Sequence, residues 1–273
     1  MTDKICDFTK NIVGKKGYEM ISVLFLGAML AACSSSQPAH VQPSAGSRMS
    51  ISVLGDSYST YEGYMATDTN LVWYYPKGST GGYHDSRNGN DVSDVSQTWW
   101  HLLCKEHGYR LEANNSFSGS TICYTGYRDR QTGRPRDFTN RSFVSRVTQL
   151  GSPDIILICG GTNDSWAGVP IGEYKWQDWT DSDLHSFRPA MACMLHRAQG
   201  RYPNVPIYFI LNSELKPEIN ESVDSVCTRY GVELIRLHDI EKQRSHPSVL
   251  GMKAFADQVA DALAKSHPSG ARR

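Results

Sequence analysis

Two stretches, Asp154–Cys159 (DIILIC) and Pro206–Leu211 (PIYFIL), each hold five consecutive apolar residues with no polar interruption. A strand with one face in water alternates apolar and polar residues, so an unbroken apolar run marks a strand covered on both faces. Three further β-prone runs, Ile51–Leu54, Tyr109–Ala113 and Val232–Leu237, alternate along the chain with helical patterns. Parallel neighbours need crossover connections, and those helices supply them. The expected fold is therefore α/β in three layers (α/β/α, flavodoxin-like), with a central parallel five-stranded sheet. The last helix is the best marked: Ser248 stands where a cap belongs, and Met252, Phe255, Ala256, Val259 and Leu263 recur at helical spacing.

Charge and cysteine content exclude several function classes. The 273 residues balance 28 Lys+Arg against 28 Asp+Glu, so this is not a polycation built for nucleic acid or for coating a membrane. The seven cysteines are widely spaced without a Cys-x-x-Cys pair, which fits buried thiols better than a disulfide scaffold. There is no His-x-x-x-His, no Walker loop, and no Gly-x-Gly-x-x-Gly after the first strand. No metal and no cofactor is implied.

Ahead of the folded part, Ile21–Ala32 is an apolar run behind Lys15 and Lys16, too short to span a bilayer. It reads as the core of a signal peptide over residues 1–33. Its end, Leu30-Ala31-Ala32-Cys33, resembles a bacterial lipobox. That resemblance implies an exported lipoprotein of the cell envelope, facing the periplasm or cell surface and touching the membrane only through its lipid anchor. A plain signal peptide is the alternative. Residues 34–48, rich in Ser, Pro and Gln, suit a flexible tether, leaving a domain over 49–268 and a tail over 269–273.

Two connections, Tyr61–Ser96 and Ser165–Thr180, are too long for a compact sheet of this kind. The first holds Trp73, Tyr74, Tyr75 and Tyr83, and the second Trp166, Tyr174, Trp176 and Trp179. Such aromatic content predicts ordered loops that wall a cleft, with satellite packing beneath the loops as the alternative.

The first strand runs into Gly55-Asp56-Ser57-Tyr58-Ser59, putting a serine at the carboxyl edge of the sheet, where ligands sit in open α/β folds. Asn114-Asn115-Ser116-Phe117-Ser118-Gly119 follows the second strand and Gly160-Gly161-Thr162-Asn163-Asp164 the third, so both reach the same edge. His246-Pro247 precedes the last helix. This ordered set of four, over about Met49 to Ala264, resembles the SGNH or GDSL-type hydrolase family. The resemblance implies that Ser57 attacks an ester carbonyl. It also implies an oxyanion hole formed by the N–H groups of Ser57 and Gly119 and the side-chain amide of Asn163. Acyl transfer needs donors aimed at charge that appears only in the tetrahedral state, and a glycine lets backbone approach closely.

A serine hydroxyl is a weak nucleophile and needs a base titrating near neutrality, hence a histidine. Ser-His-Pro-Ser occurs at Ser245–Ser248 and again at Ser266–Ser269, and position selects His246 over His267, which lies beyond the final helix. The family's Asp-x-x-His pattern has Gln243 in place of the aspartate. Glu241, or less favourably Asp239, could orient the imidazole instead; so could a backbone carbonyl, or the pair could work as a Ser–His dyad. Asp56 and Asp164 are expected to bond their own tight turns. Tyr58, Trp100 and Trp166 are the aromatic candidates for substrate contact, although adjacent Trp99 and Trp100 on a helix cannot both face the site.

The expected function is an exported serine esterase working through an acyl-enzyme. Its substrate would be a small-molecule or glycan ester, and no nucleic acid is involved. Deacetylation of an acetylated carbohydrate leads, because aromatic loops suit stacking on sugars. A lipase acting on a lipid-like ester, or a catalytically weak glycan-binding lipoprotein, is the alternative.

Overall fold

The structure, a computed structural model, describes residues 48–77 and 89–266. The expected signal peptide and Cys33, nearly all of the tether, Tyr83, His267 and the tail lie outside the described residues. The chain forms β1 (Ser50–Gly55), α1 (Trp99–Glu106), β2 (Arg110–Asn114), the hairpin β3 (Thr125–Arg128) and β4 (Pro135–Asp137), and α2 (Phe143–Arg146). It continues with β5 (Ile155–Cys159), α3 (Thr162–Ala167), α4 (Phe187–Arg201), β6 (Ile207–Leu211), α5 (Pro217–Tyr230) and β7 (Glu233–Arg236). A short ladder of β8 (Lys242–Gln243) and β9 (His246–Pro247) leads into α6 (Val249–Ser266).

The five main strands pair in the order β2-β1-β5-β6-β7, all parallel. β5 and β6 sit inside the sheet and are buried at every position, which is why their sequences are apolar throughout. Edge strands β2 and β7 keep exposed residues. Neighbours on β5 enter opposite layers. Ile155, Leu157 and Cys159 join the core under α1 and α6, while Ile156 and Ile158 join the core under α2, α4 and α5. Trp99 stacks flat on Phe255, ring centroids 4.5 Å apart, and fastens α1 to α6. The thiols of Cys123, Cys159, Cys193 and Cys227 are buried and free.

From β1 the chain moves outward to β2 and then returns across β1 to begin β5. The direction of winding therefore reverses between β1 and β5, and their carboxyl ends splay apart to leave a crevice. Ser57 follows β1 and Asn163 follows β5, so the topology puts both at that crevice.

The long connections divide between the two expectations. In the first, Trp73 lies against His246, and buried Tyr74 donates its hydroxyl to the Pro247 carbonyl at 2.9 Å. In the second, Tyr174, Trp176 and Trp179 pack on the α4–α5 core as satellites. The β8–β9 turn is tight: Gln243 pairs with His246, and the two residues between, Arg244 and Ser245, have φ of 53° and 62°. Left-handed backbone at a non-glycine residue is uncommon and persists where surroundings over-determine it. Here Tyr58 donates to the Ser245 carbonyl at 2.7 Å, and the Asn90 amide lies 3.1–3.3 Å from the carbonyls of Gln243, His246 and Pro247.

Candidate active site

β1 ends on Gly55, where a Cβ would meet Ser116 Oγ and Ser59 at 2.6 Å, so only glycine lets the chain turn there. Asp56 caps the following turn by accepting from the Tyr58 N–H at 3.1 Å. The turn is pinned from below, because Ser59 accepts from Trp99 Nε1 at 3.1 Å, and its carbonyl accepts from Trp100 Nε1 and Asn114 Nδ2, both at 2.9 Å. Trp100, expected as a substrate contact, is only 1 % exposed. It supports the serine turn from within the core and cannot reach a ligand.

Ser57 and His246 are brought together: Ser57 Oγ lies 2.8 Å from His246 Nε2. On the far side of the ring, Nδ1 lies 3.0 Å from the Arg244 carbonyl. A carbonyl can only accept, so Nδ1 carries the proton and Nε2 presents its lone pair to the serine hydroxyl. The Trp73 indole lies parallel over the imidazole, centroids 3.6 Å apart and 7° from coplanar. Tyr58 and Trp166 meet its edge at 5.2 Å and 6.1 Å.

Among the orienting groups the sequence leaves open, the carbonyl is the one in place, and Glu241 is engaged elsewhere. Its Oε1 accepts from Ser248 Oγ at 2.8 Å, at the start of α6, because the β8–β9 turn carries residue 241 away from the ring toward that helix. Gln243 is exchanged in a reciprocal pair with Asp91, accepting its N–H at 2.9 Å. Asp239 is exposed beside His238.

Asn163 is 2 % exposed, and its Oδ1 accepts from the Tyr127 hydroxyl at 2.6 Å. Among the described residues, its Nδ2 has no partner. Buried amide hydrogens are almost always bonded, so this donor pair stands ready for an acceptor that the described residues do not supply. Gly119 has φ of 77° with open space where a Cβ would sit, in the loop closed by the Ser120 N–H on the Phe117 carbonyl.

Tyr127 escaped the sequence reading, since it lies on a four-residue strand too short to show a period. By donating to Oδ1 it turns the amide so that Nδ2 faces away from it. Tyr127→Phe is therefore expected to lower kcat about tenfold with KM nearly unchanged, as loss of one orienting hydrogen bond implies. Asn163→Ala lowers kcat by about 10²–10³. In an Asn163→Ala background, Tyr127→Phe has no further effect, and steady-state kinetics of the two single variants and the double variant checks this.

Arg146, 5 % exposed, braces the edge from beneath. It donates to the carbonyls of Asn115, Gly55 and Arg141 and to Ser120 Oγ. Burial lowers its pKa to about 9, opposed by the Asp56 charge. Asp56 is raised to about 7 chiefly by burial, and Asp164 to about 6 for the same reason. Asp56 holds its own turn as expected, whereas Asp164 does not: it accepts from the N–H groups of Ile122 and Cys123 and so ties the loop after β2 to the start of α3.

Next to the imidazole opens a pocket of about 360 Å³ whose lining includes Tyr58, Trp166, Asn212, Glu214, Lys242 and Ser245. Trp166 is 44 % exposed, Lys242 pairs with Glu214 at 3.1 Å, and buried Asn212 Oδ1 has no partner among the described residues.

A serine at the carboxyl edge of a five-stranded parallel sheet, with a histidine nitrogen on its hydroxyl, defines an ester-hydrolysing enzyme of the SGNH type. The family described as GDSL-like Lipase/Acylhydrolase matches residues 49–263, and the chain belongs to it. A Bacteroides ovatus crystal structure designated a GDSL-like lipase is 51 % identical with a TM-score of 0.72, covering 80 % of this chain and 99 % of that one. A Bacteroides uniformis structure of the same designation is 48 % identical with a TM-score of 0.73, covering 80 % and 96 %. The fold is shared with a family two carbohydrate esterase from Clostridium thermocellum in complex with cellohexaose, at 14 % identity, TM-score 0.51, and coverage of 81 % and 66 %. The comparison with curated proteins gave no match.

Proposed function

We propose that the chain is a serine esterase that removes short acyl groups, acetyl above all, from a carbohydrate. The observation that carries this reading is the 2.8 Å contact between Ser57 Oγ and His246 Nε2, with the tautomer set by the Arg244 carbonyl. His246 Nε2 takes the hydroxyl proton as Ser57 Oγ bonds to the ester carbonyl carbon. The resulting oxyanion accepts from the N–H groups of Ser57 and Gly119 and from Asn163 Nδ2. The carbon–oxygen bond to the alcohol then breaks, His246 returns its proton to the leaving oxygen, and the acyl group stays on Ser57. Water, deprotonated by the same nitrogen, releases the acid and restores the serine. While the ring is cationic, the Arg244 carbonyl holds its Nδ1 proton and the Trp73 face lies over the charge.

The pocket favours a sugar as the alcohol. Asn212, Glu214 and Lys242 would each lose hydration under an alkyl chain, whereas hydroxyls satisfy them and the exposed Trp166 face suits ring C–H groups. At the cell envelope, where the lipobox-like segment would hold the domain, such esters are polymer-borne.

Initial rates on acetylated sugars and on p-nitrophenyl esters of increasing chain length test the choice. Acetyl esters are expected to react at least about tenfold faster in kcat/KM than octanoyl esters, the loss that stranding one buried polar group implies. Faster octanoate hydrolysis overturns the carbohydrate reading.

A further inference from the structure

The β3–β4 hairpin concentrates positive charge in a chain whose formal net charge is zero. Between residues 128 and 141 stand Arg128, Arg130, Arg134, Arg136 and Arg141 against two acids, Asp129 and Asp137. Arg128, Arg130, Arg134 and Arg136 are exposed. Arg136 pairs with Asp129 at 2.9 Å, and Asp137 is engaged by Thr139. Arg128 reaches the Gly133 carbonyl, and Arg141 lies over the rings of Phe117 and Phe138. Among the described residues, none of Arg128, Arg130, Arg134 and Arg141 has a carboxylate within ion-pair distance. A charge run of this kind is ordinarily a solvated face, and its place in the fold is what sets this one apart.

Two contacts root the hairpin in the active site. Tyr127, on β3, donates to Asn163 at 2.6 Å, and Phe117, under Arg141, belongs to the loop that carries Gly119. Strands advance about 3.3 Å per residue, so the backbone at Arg130 and Arg134 lies on the order of 10 Å from Tyr127. A separation of that order exceeds the reach of a small ester seated at Ser57 and falls within the length of a polymer.

We propose that the arginine hairpin is a docking surface for the anionic stretch of a polymeric substrate, an acetylated glycan bearing carboxylates, of the polyuronate class. This rests on the reading of the enzyme as a carbohydrate esterase. Guanidinium forks match carboxylates two bonds at a time, and arginine rather than lysine supplies every cation of the hairpin. An anionic lipid surface offers the same charge as a single sheet of headgroups, whereas carboxylates spaced along a glycan meet the guanidinium forks one by one, so the substrate itself is the occupant argued for and vesicles are the contrasting arm of the test.

The test is affinity electrophoresis of the full chain carrying Ser57→Ala, which prevents turnover, in gels holding polygalacturonate or neutral glucomannan. Retention by polygalacturonate is expected to be at least about fivefold stronger, and to fall as NaCl rises from about 0.05 M to about 0.3 M. Adding Arg130→Glu and Arg134→Glu abolishes that preference. In the otherwise native enzyme the same two substitutions leave p-nitrophenyl acetate hydrolysis within about twofold, which shows the fold intact. Equal retention by the two polymers, indifference to the charge reversal, or binding to anionic vesicles without binding to polygalacturonate overturns the proposal. Failure of the esterase reading is seen separately, as a native enzyme that releases no acetate from any acetylated sugar.

Discussion

Replacing Ser57 by alanine lowers kcat on p-nitrophenyl acetate by about 10⁴–10⁶, His246→Ala falls into the same range, and the double variant is scarcely worse than either. The two side chains act as one unit through the 2.8 Å contact, so removing one leaves the other without work. What activity remains comes from the oxyanion donors, which neither substitution touches. No neighbouring thiol can take over: burial raises the pKa of Cys123 and of Cys159 well above the ordinary value, so neither forms the reactive thiolate. Ser57→Ala removes a single oxygen, so its melting temperature should hardly move while turnover collapses; His246→Ala also removes a buried ring packed on Trp73 and is the less stable of the two.

The second large effect is on stability. Arg146→Met is expected to destabilise the fold by about 3–5 kcal/mol, the range for removing one partner from a buried charge network. Four acceptors each lose a hydrogen bond at once, namely the carbonyls of Gly55, Asn115 and Arg141 and the hydroxyl of Ser120. Asp56 simultaneously loses the cation that lowers its pKa. For a domain of this size that corresponds to roughly 10 °C in melting temperature, read by calorimetry. Lysine at 146 recovers only part of the loss, because an ammonium is a compact charge and cannot spread donors over groups arranged for a guanidinium fork. A variant as stable as the native chain would mean that these bonds add nothing to the fold.

The sheet was legible because its strands are long enough to show their burial. IILIC and IYFIL could only be interior, and the three motifs at the ends of β1, β2 and β5 follow from strand order. The hairpin was not legible, because TGYR and PRD are too short to carry a period and PRD is exposed throughout. Tyr127 was lost with it. Arg146 could have been noticed as a cation inside the apolar stretch Phe143-Val144-Ser145-Arg146-Val147, but nothing local says which carbonyls it collects.

The histidine's surroundings were the hardest to foresee. Gln243 at the family's aspartate position invited a search for a nearby acid, and Glu241 was the closest in sequence. A ladder of two residues per strand, turning through left-handed Arg244 and Ser245, aims a main-chain carbonyl at Nδ1, while Glu241 bonds Ser248 instead. Carbonyl direction is a property of φ and ψ, and no residue type at 244 or 245 announces it. Trp100 misled for a related reason: its sequence position shows a helix start, but only the packing of the serine turn against α1 shows which side it buries.

The central claim is that Ser57 is the residue His246 activates, and active-site phosphonylation tests it most directly. After incubation with a fluorophosphonate, intact-mass and peptide mass spectrometry should show a single adduct on the Ser57 peptide of the native enzyme. No adduct forms in Ser57→Ala, and labelling is far slower in His246→Ala. Labelling at another residue, or a native enzyme that hydrolyses esters while Ser57 stays unmodified, would contradict the account.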